Sequence, residues 1–159
     1  MDEELDVEMS NLKKIIILGG DGFCGWPTSL HLSNQGHEIL IIDNLSRRRI
    51  DEELGINSLT PISSINERID CWKNISGNEI LFSNIDVSKD FELLLEKIAS
   101  FSPDVIIHFA EQRAAPYSMK SAWHKRYTID NNTSATNNVL TAIAELGKDI
   151  HLVHLGTMG

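Results

Sequence analysis

"LGGDGFCGW", Leu18 to Trp26, sets three glycines, Gly19, Gly22 and Gly25, three residues apart. Before it, "KKIIILGG" (Lys13 to Gly20) is a short isoleucine-rich run that reads as a strand buried on both faces. After it, Phe23 to Gln35 puts Phe23, Trp26 and Leu30 along one helical face, with Gly36 as the stop. Pro27 is compatible with that helix only in its first turn, where backbone amides lack partners anyway. Strand, glycine turn and helix together let main chain touch a diphosphate. Gly19 permits the sharp exit from the strand, Gly22 has no Cβ to hold a pyrophosphate off, and Gly25 allows close helix packing. The helix start adds free amides and partial positive charge.

The next apolar run, "HEILIIDN" (His37 to Asn44), reads as a second buried strand, and Asp43 at its end lies 18 residues past Gly25. A carboxylate there accepts hydrogen bonds from both adenosine ribose hydroxyls and repels a 2′-phosphate, so the pattern favours NAD over NADP. The competing role is a strand-end turn aspartate. Arg47 and Arg48 either argue for NADP or are simply solvated.

The rest of the chain repeats the alternation. Leu45 to Asn78 is less periodic and reads as an insertion with short helices folded over the domain. "EILFSNID" (Glu79 to Asp86) is a third strand, followed by the helix "SKDFELLLEKIASF" with Ser88 as its candidate cap. "PDVIIHFA" (Pro103 to Ala110) is a fourth strand, "EQRAAPYSMKSAWHK" a loop, and Tyr127 to Leu146 a long helix ending at Gly147. "DIHLVHLG" (Asp149 to Gly156) is the fifth strand. Strands alternating with helices pair in parallel through right-handed crossovers, so the expected fold class is α/β, a doubly wound parallel sheet of the NAD-binding Rossmann type. Residues 13–159 form that domain, and 1–12 an acidic, solvated tail.

The 159 residues carry a formal net charge of -9, which argues against nucleic acid or an anionic membrane as partner. Part of the excess is the tail, whose "MDEELDVE" holds five acids and no base. Two cysteines, Cys24 and Cys71, form no CxxC pair, which suits a reducing compartment. No apolar run approaches the ~20 residues needed to span a bilayer, and no signal peptide is evident, so the expected location is cytoplasmic. His108, His151 and His154 sit in apolar strands and read as core or strand-end residues rather than metal ligands.

"GGDGFCGW", "DNLSRR", "HFAEQRAAPYSM" and "HLGTMG" together resemble the UDP-sulfoquinovose synthases, within the extended short-chain dehydrogenase/reductase group. "GGDGFCG" alone fits many nucleotide-sugar epimerases and dehydratases; "EQRAAPYSM" and "GTMG" are more specific. The resemblance runs from about Lys14 to Gly159 and takes in "LGINSLTPISSINERIDCWK", which looks like that family's insertion. It implies NAD as cofactor and UDP-glucose and sulfite as substrates. Carbon 4 of the glucose is oxidised, water leaves across carbons 5 and 6, sulfite adds at carbon 6, and carbon 4 is reduced again, giving UDP-sulfoquinovose. It also implies a homodimer for the full-length enzyme.

Carried over by position, the resemblance gives these expectations. Gly19, Gly20, Asp21, Gly22, Phe23, Cys24 and Gly25 lie at the pyrophosphate. Asp43, Asn44 and Arg47 hold the adenosine side, with Ile85 and Asp86 near the adenine. Ala110 and Gln112 approach the nicotinamide ribose, and Asn132 is the active-site-helix asparagine. Gln112, Arg113, Tyr117, Ser118 and Met119 face the substrate or sulfite, and Thr157 bonds the hydroxyl being oxidised. Each has a plainer alternative: Asp86 as helix cap, Arg113 paired with Glu111, Gln112 satisfying loop backbone, Asn132 exposed on its helix, Thr157 in a strand-end turn. Cys24 reads as a packing residue rather than a nucleophile. The group's Tyr-x-x-x-Lys pair has no counterpart, since Ser121 follows Tyr117 by four and Asn131 follows Tyr127 by four. The expectation is therefore an NAD-binding part that ends after the fifth strand, without the substrate domain and inactive by itself. The long helix also reads "NTSAT" where the family has "NVxGT". The rivals are another NAD-dependent UDP-sugar epimerase or dehydratase, and a non-catalytic dinucleotide-binding module.

Overall fold

A computed structural model of the protein describes residues 12–112 and 115–156. The acidic N-terminal run, Arg113 and Thr157 lie outside the described residues.

Five strands form one parallel sheet: β1 (Lys14–Leu18), β2 (Glu38–Ile42), β3 (Ile80–Ser83), β4 (Val105–His108) and β5 (His151–His154). Their order is β3-β2-β1-β4-β5, so the chain reverses direction across the sheet beside β1. Among the described residues six helices connect them: α1 (Gly25–Asn34), α2 (Ser46–Glu53), α3 (Ile65–Ser76), α4 (Phe91–Phe101), α5 (Ala115–Ser118) and α6 (Ala122–Leu146). Among the described residues no helix is long and apolar enough to cross a membrane.

Both faces of the central strands are buried, which is why their sequences are unbroken apolar runs. Alternate residues serve opposite layers. Ile16, Leu18, Leu40, Ile42 and Ile106 pack with Leu94 and Ile98 of α4 and Val139 and Ala142 of α6. Ile15, Ile17, Ile39, Ile41 and Ile80 pack with Trp26 and Leu30 of α1 and Ile65, Ile69 and Trp72 of α3. The insertion is thus part of the second layer. Trp72 Nε1 donates to Ser33 Oγ at 3.0 Å, pinning α3 to α1.

Several boundaries differ from the expected ones for physical reasons. In α1 the fully buried positions are the small ones, Gly25, Ser29 and Ser33, and Phe23 is 78% exposed rather than on the packed face. The third strand stops at Ser83 because its partner stops at Ile42, the residue opposite. Ser88 does not cap α4: its hydroxyl and amide both donate to Asp86 Oδ1, and Asp90 stands at the helix start. The long helix begins at Ala122, five residues earlier than Tyr127, because Ser121 accepts the His124 amide and starts it.

Candidate functional site

The carboxyl ends of β1, β2, β3 and β4 open on one groove, where a sheet of this order places its ligand. It is an open cavity of about 260 Å³.

Its floor is the glycine turn. Gly19 has φ +80°, and a Cβ there would stand 2.8 Å from main-chain atoms of Phe109 and Ala110, so only glycine lets β1 turn against the end of β4. A Cβ on Gly25 would collide with the Gly19 carbonyl oxygen and Gly20 Cα, so the turn folds directly onto the start of α1. No side chain caps α1; the Trp26 and Thr28 amides donate to the Gly22 and Cys24 carbonyls and Pro27 has no N–H, so among the described residues the amides left for an outside acceptor are those of Phe23, Cys24 and Gly25. Gly19, Gly22, Phe23, Cys24 and Gly25 all border the groove. Gly20 does not; it lies against Ile41.

Asp43 borders the groove at the end of β2. Its Oδ2 accepts the Asp21 amide at 2.9 Å and its Oδ1 the Leu45 amide at 2.7 Å. Burial pushes its pKa above the usual carboxylate value, and the two amide hydrogen bonds oppose that shift. Asn44, Arg47 and Ile85 line the same end. Asp86 lines it too and holds the Ser88 turn rather than capping a helix. Burial raises the Asp86 pKa, but hydrogen bonds from Ser88 and Asn44 and the Lys89 charge outweigh it and hold the carboxyl low.

At the other end the wall is the β4 exit, Ala110, Glu111 and Gln112, facing Asn131 and Ala135 of α6. Ala135 takes the glycine place of "NVxGT" and is 1% exposed against the sheet. Gln112 Nε2 is buried and has no partner among the described residues, so a donor is on offer at this wall. Asn132 does not border the groove. Its side chain pairs with the Gln112 main chain instead.

Other expected site residues stand elsewhere. Asp21 is 3% exposed, borders no part of the groove, and binds Arg48 and Arg68. Tyr117 is buried behind α6, its ring edge-on to His124 and Tyr127, and burial raises its pKa. Ser118 donates to the Ala115 carbonyl, and Met119 is exposed. None of the three borders the groove; Tyr117 packs against the first turns of α6 instead. Sequence reasoning missed Ser46, Ile50 and Tyr127, which line the groove from α2 and α6. The helical spacing of Ser46, Arg47 and Ile50 was a usable signal; nothing local marked Tyr127.

His108, Glu111 and His154 bring their donor atoms within 4.8 Å of one another. Both His108 nitrogens already have partners, the Ala110 amide at Nδ1 and the Thr136 hydroxyl at Nε2. His154 Nε2 lies 2.9 Å from Glu111 Oε1. The cluster therefore braces the β4 and β5 exits. Burial first, and then the neighbouring His154, lower the His108 pKa to about 4.

Residues 15–159 match the family model of the NAD dependent epimerase/dehydratase family. The chain is 49% identical over 150 residues to the chloroplastic UDP-sulfoquinovose synthase of Spinacia oleracea, covering 94% of this chain and 31% of that one. It is 42% identical over 146 residues to the UDP-sulfoquinovose synthase of Sulfolobus acidocaldarius, covering 92% and 37% respectively. The chain thus spans about a third of the length of these curated relatives. Among solved structures, a UDP-glucose 4-epimerase from Stenotrophomonas maltophila, bound to NAD and a formylated UDP-arabinopyranose, superposes with a TM-score of 0.68 at 22% identity, covering 89% of this chain and 36% of that one. With nearly its whole length inside the match, this chain belongs to the NAD dependent epimerase/dehydratase family.

Proposed function

We propose that this chain is the NAD-binding part of a UDP-sulfoquinovose synthase, which makes UDP-sulfoquinovose from UDP-glucose and sulfite. The observation that carries the reading is the 49% identity with the spinach enzyme over 150 residues, a match that takes in 94% of this chain.

The residues present fit the cofactor. The turn has no room for a Cβ at Gly25, and at Gly22 the nearest atom to a built Cβ is the Gly19 oxygen at 3.2 Å, with the groove side open. The amides of Phe23, Cys24 and Gly25, which have no partner among the described residues, suit a pyrophosphate at the start of α1. Each Asp43 oxygen accepts one amide and retains a lone pair for a ribose hydroxyl. Asn44 and Arg47 would hold the adenosine side and Ile85 and Asp86 the adenine, all four lining the same end of the groove. The buried Gln112 amide nitrogen awaits an acceptor on the nicotinamide ribose or on the sugar. When bound, NAD supplies a two-electron acceptor for the sugar's carbon 4 and later restores what it took. Asn132 orients Gln112 through its main chain; Thr157 would bond the hydroxyl being oxidised, and Arg113 would supply a cation for an anionic reactant. Two exposed, unpaired cysteines suit a reducing cytoplasm.

The test uses the complete coding sequence that carries these residues. Purified protein receives UDP-glucose with and without sulfite, and products are read by mass spectrometry. A sulfonated UDP-hexose should form only with sulfite. An epimer or keto sugar that accumulates regardless of sulfite would overturn the synthase reading in favour of an epimerase or dehydratase. Asp43→Ala should weaken NAD binding about tenfold or more, since it removes charge-assisted hydrogen bonds. Unchanged affinity would remove NAD from this groove.

A further inference from the structure

Three consecutive arginines, Arg47, Arg48 and Arg49, follow the end of β2, beside the carboxylate that would hold the adenosine ribose. A cation at that place is what a 2′-phosphate would need. All three are engaged inside the chain. Arg49 Nη1 donates to the Asn44 carbonyl at 2.9 Å. Arg47 Nε lies 3.7 Å from Asp51 Oδ2. Arg48 is held at two points on one residue: Nε donates to Asp21 Oδ2 at 2.7 Å and Nη2 donates to the Asp21 carbonyl at 3.1 Å. From α3, Arg68 donates to Asp21 Oδ1 while its guanidinium lies over the Trp26 ring at 4.4 Å.

Asp21 is 3% exposed, and a carboxylate so buried requires compensation. Two guanidiniums provide it. The Asp21 amide meanwhile donates to Asp43 Oδ2. Asp21 is thus one hydrogen bond from the ribose acceptor and holds two cations on its own carboxylate. The outcome is visible in the groove: Ser46, Arg47 and Ile50 border it and Arg48 does not.

We propose that Asp21 is a specificity-determining residue: by binding Arg48 and Arg68 it withholds a second guanidinium, beyond the Asp51-paired Arg47, from the ribose edge at Asp43 and so disfavours 2′-phosphorylated dinucleotides. The proposal rests on the dinucleotide reading of the groove. A released Arg48, partly exposed on α2, meets a strong partner only when a 2′-phosphate is present, because guanidinium and phosphate match in charge and geometry. The plain ribose of NAD offers hydroxyls already matched to Asp43. Release therefore changes the ratio of the two affinities. A merely structural brace would weaken both cofactors alike.

Calorimetric titration of the complete protein with NAD and with NADP tests this. Asp21→Asn, which keeps the shape and removes the charge, should lower the NADP-to-NAD dissociation-constant ratio about tenfold. Adding Arg48→Ala should restore the parental ratio. Asp21→Ala with Arg68→Met removes the buried acid together with its more buried partner, so that a folding defect of the first variant leaves the test standing; the same fall is expected. An unchanged ratio in both backgrounds overturns the proposal, as does a gain that survives loss of Arg48. If the parent protein binds neither dinucleotide, the cofactor reading itself fails and takes this proposal with it, a result distinct from an unchanged ratio.

Discussion

Asn132 grips Gln112 by its main chain at two points: Oδ1 accepts the Gln112 amide at 2.8 Å and Nδ2 donates to the Gln112 carbonyl at 3.0 Å. A side-chain amide here imitates a strand partner for a loop that has none. It fixes the turn that carries Gln112 Nε2, which has no partner among the described residues. The main-chain N–H and C=O of Gln112 settle which end of the amide is the oxygen, and Asn131 Nδ2 donates to the same Oδ1 at 3.1 Å.

Asn132→Asp keeps the acceptor and replaces the donor with a carboxylate oxygen facing the Gln112 carbonyl. A lost hydrogen bond and a new repulsion should cost about 1–3 kcal/mol. Urea denaturation measures the cost. NAD affinity should fall in parallel, because the Gln112 wall is no longer fixed. A variant as stable as the parent would show that the pair is incidental.

Gly25→Ala tests whether the glycine turn is built on contact rather than flexibility. Gly25 carries no positive φ; its obstacle is the Gly19 carbonyl oxygen and Gly20 Cα, both main chain. Neither yields cheaply, so a loss of about 1–3 kcal/mol is expected from overpacking. Unfolding midpoints report it. An alanine tolerated without loss would mean that the turn can open away from α1.

The sequence made the sheet readable and left its surroundings obscure. "KIIIL" and "EILII" are buried on both faces, so burial alone wrote the pattern. The glycine turn and Asp43 were legible because close backbone approach and a strand-end acid leave few alternatives. The pairing of the Asp21 side chain was not legible because nothing nearby in sequence reveals Arg68, 47 residues away. The start of α6 was missed because "AWHKRY" shows no apolar stripe and Trp123 is 61% exposed; only the Ser121 cap signals it. The "SINE" box that begins α3, with Ser64 and Glu67 bonded reciprocally, was readable and falls inside the insertion.

Glu53→Gln probes how α2 is held over the groove. α2 has no buried residue, so no apolar core secures it. At its C-terminal end Glu53 Oε1 accepts from Lys120 Nζ at 2.9 Å and lies 3.0 Å from His124 Nε2. The hydrogen bonds to His124 and Lys120 hold the Glu53 pKa below the usual value. The neutral amide should leave global unfolding unchanged and speed hydrogen exchange of the amides of residues 46–54 several-fold, as expected for a locally anchored segment. Equal exchange in both proteins would assign the anchoring to the Arg48 end alone.

His108 makes stability depend on pH in a defined window. It is fully buried between Thr136 and the Ala110 amide, with His154 opposing its charge and Glu111 favouring it. Its pKa is lowered from 6.5 to about 4, so the folded state stays neutral where the unfolded chain takes up a proton. Its contribution is therefore constant above pH 6.5 and is lost as pH falls from 6.5 toward 4. A displacement of that size corresponds to about 3 kcal/mol over the whole window. His108→Asn keeps an acceptor near the Nδ1 position and does not titrate. Urea titrations at about pH 7.5, 6 and 5 should show the parent losing stability faster than the variant, with the gap closing toward acid. Carboxylates titrate alike in both proteins and cancel in the comparison. Parallel losses would mean that His108 takes up its proton without unfolding, and that the stacked His108 and His154 rings are open to solvent.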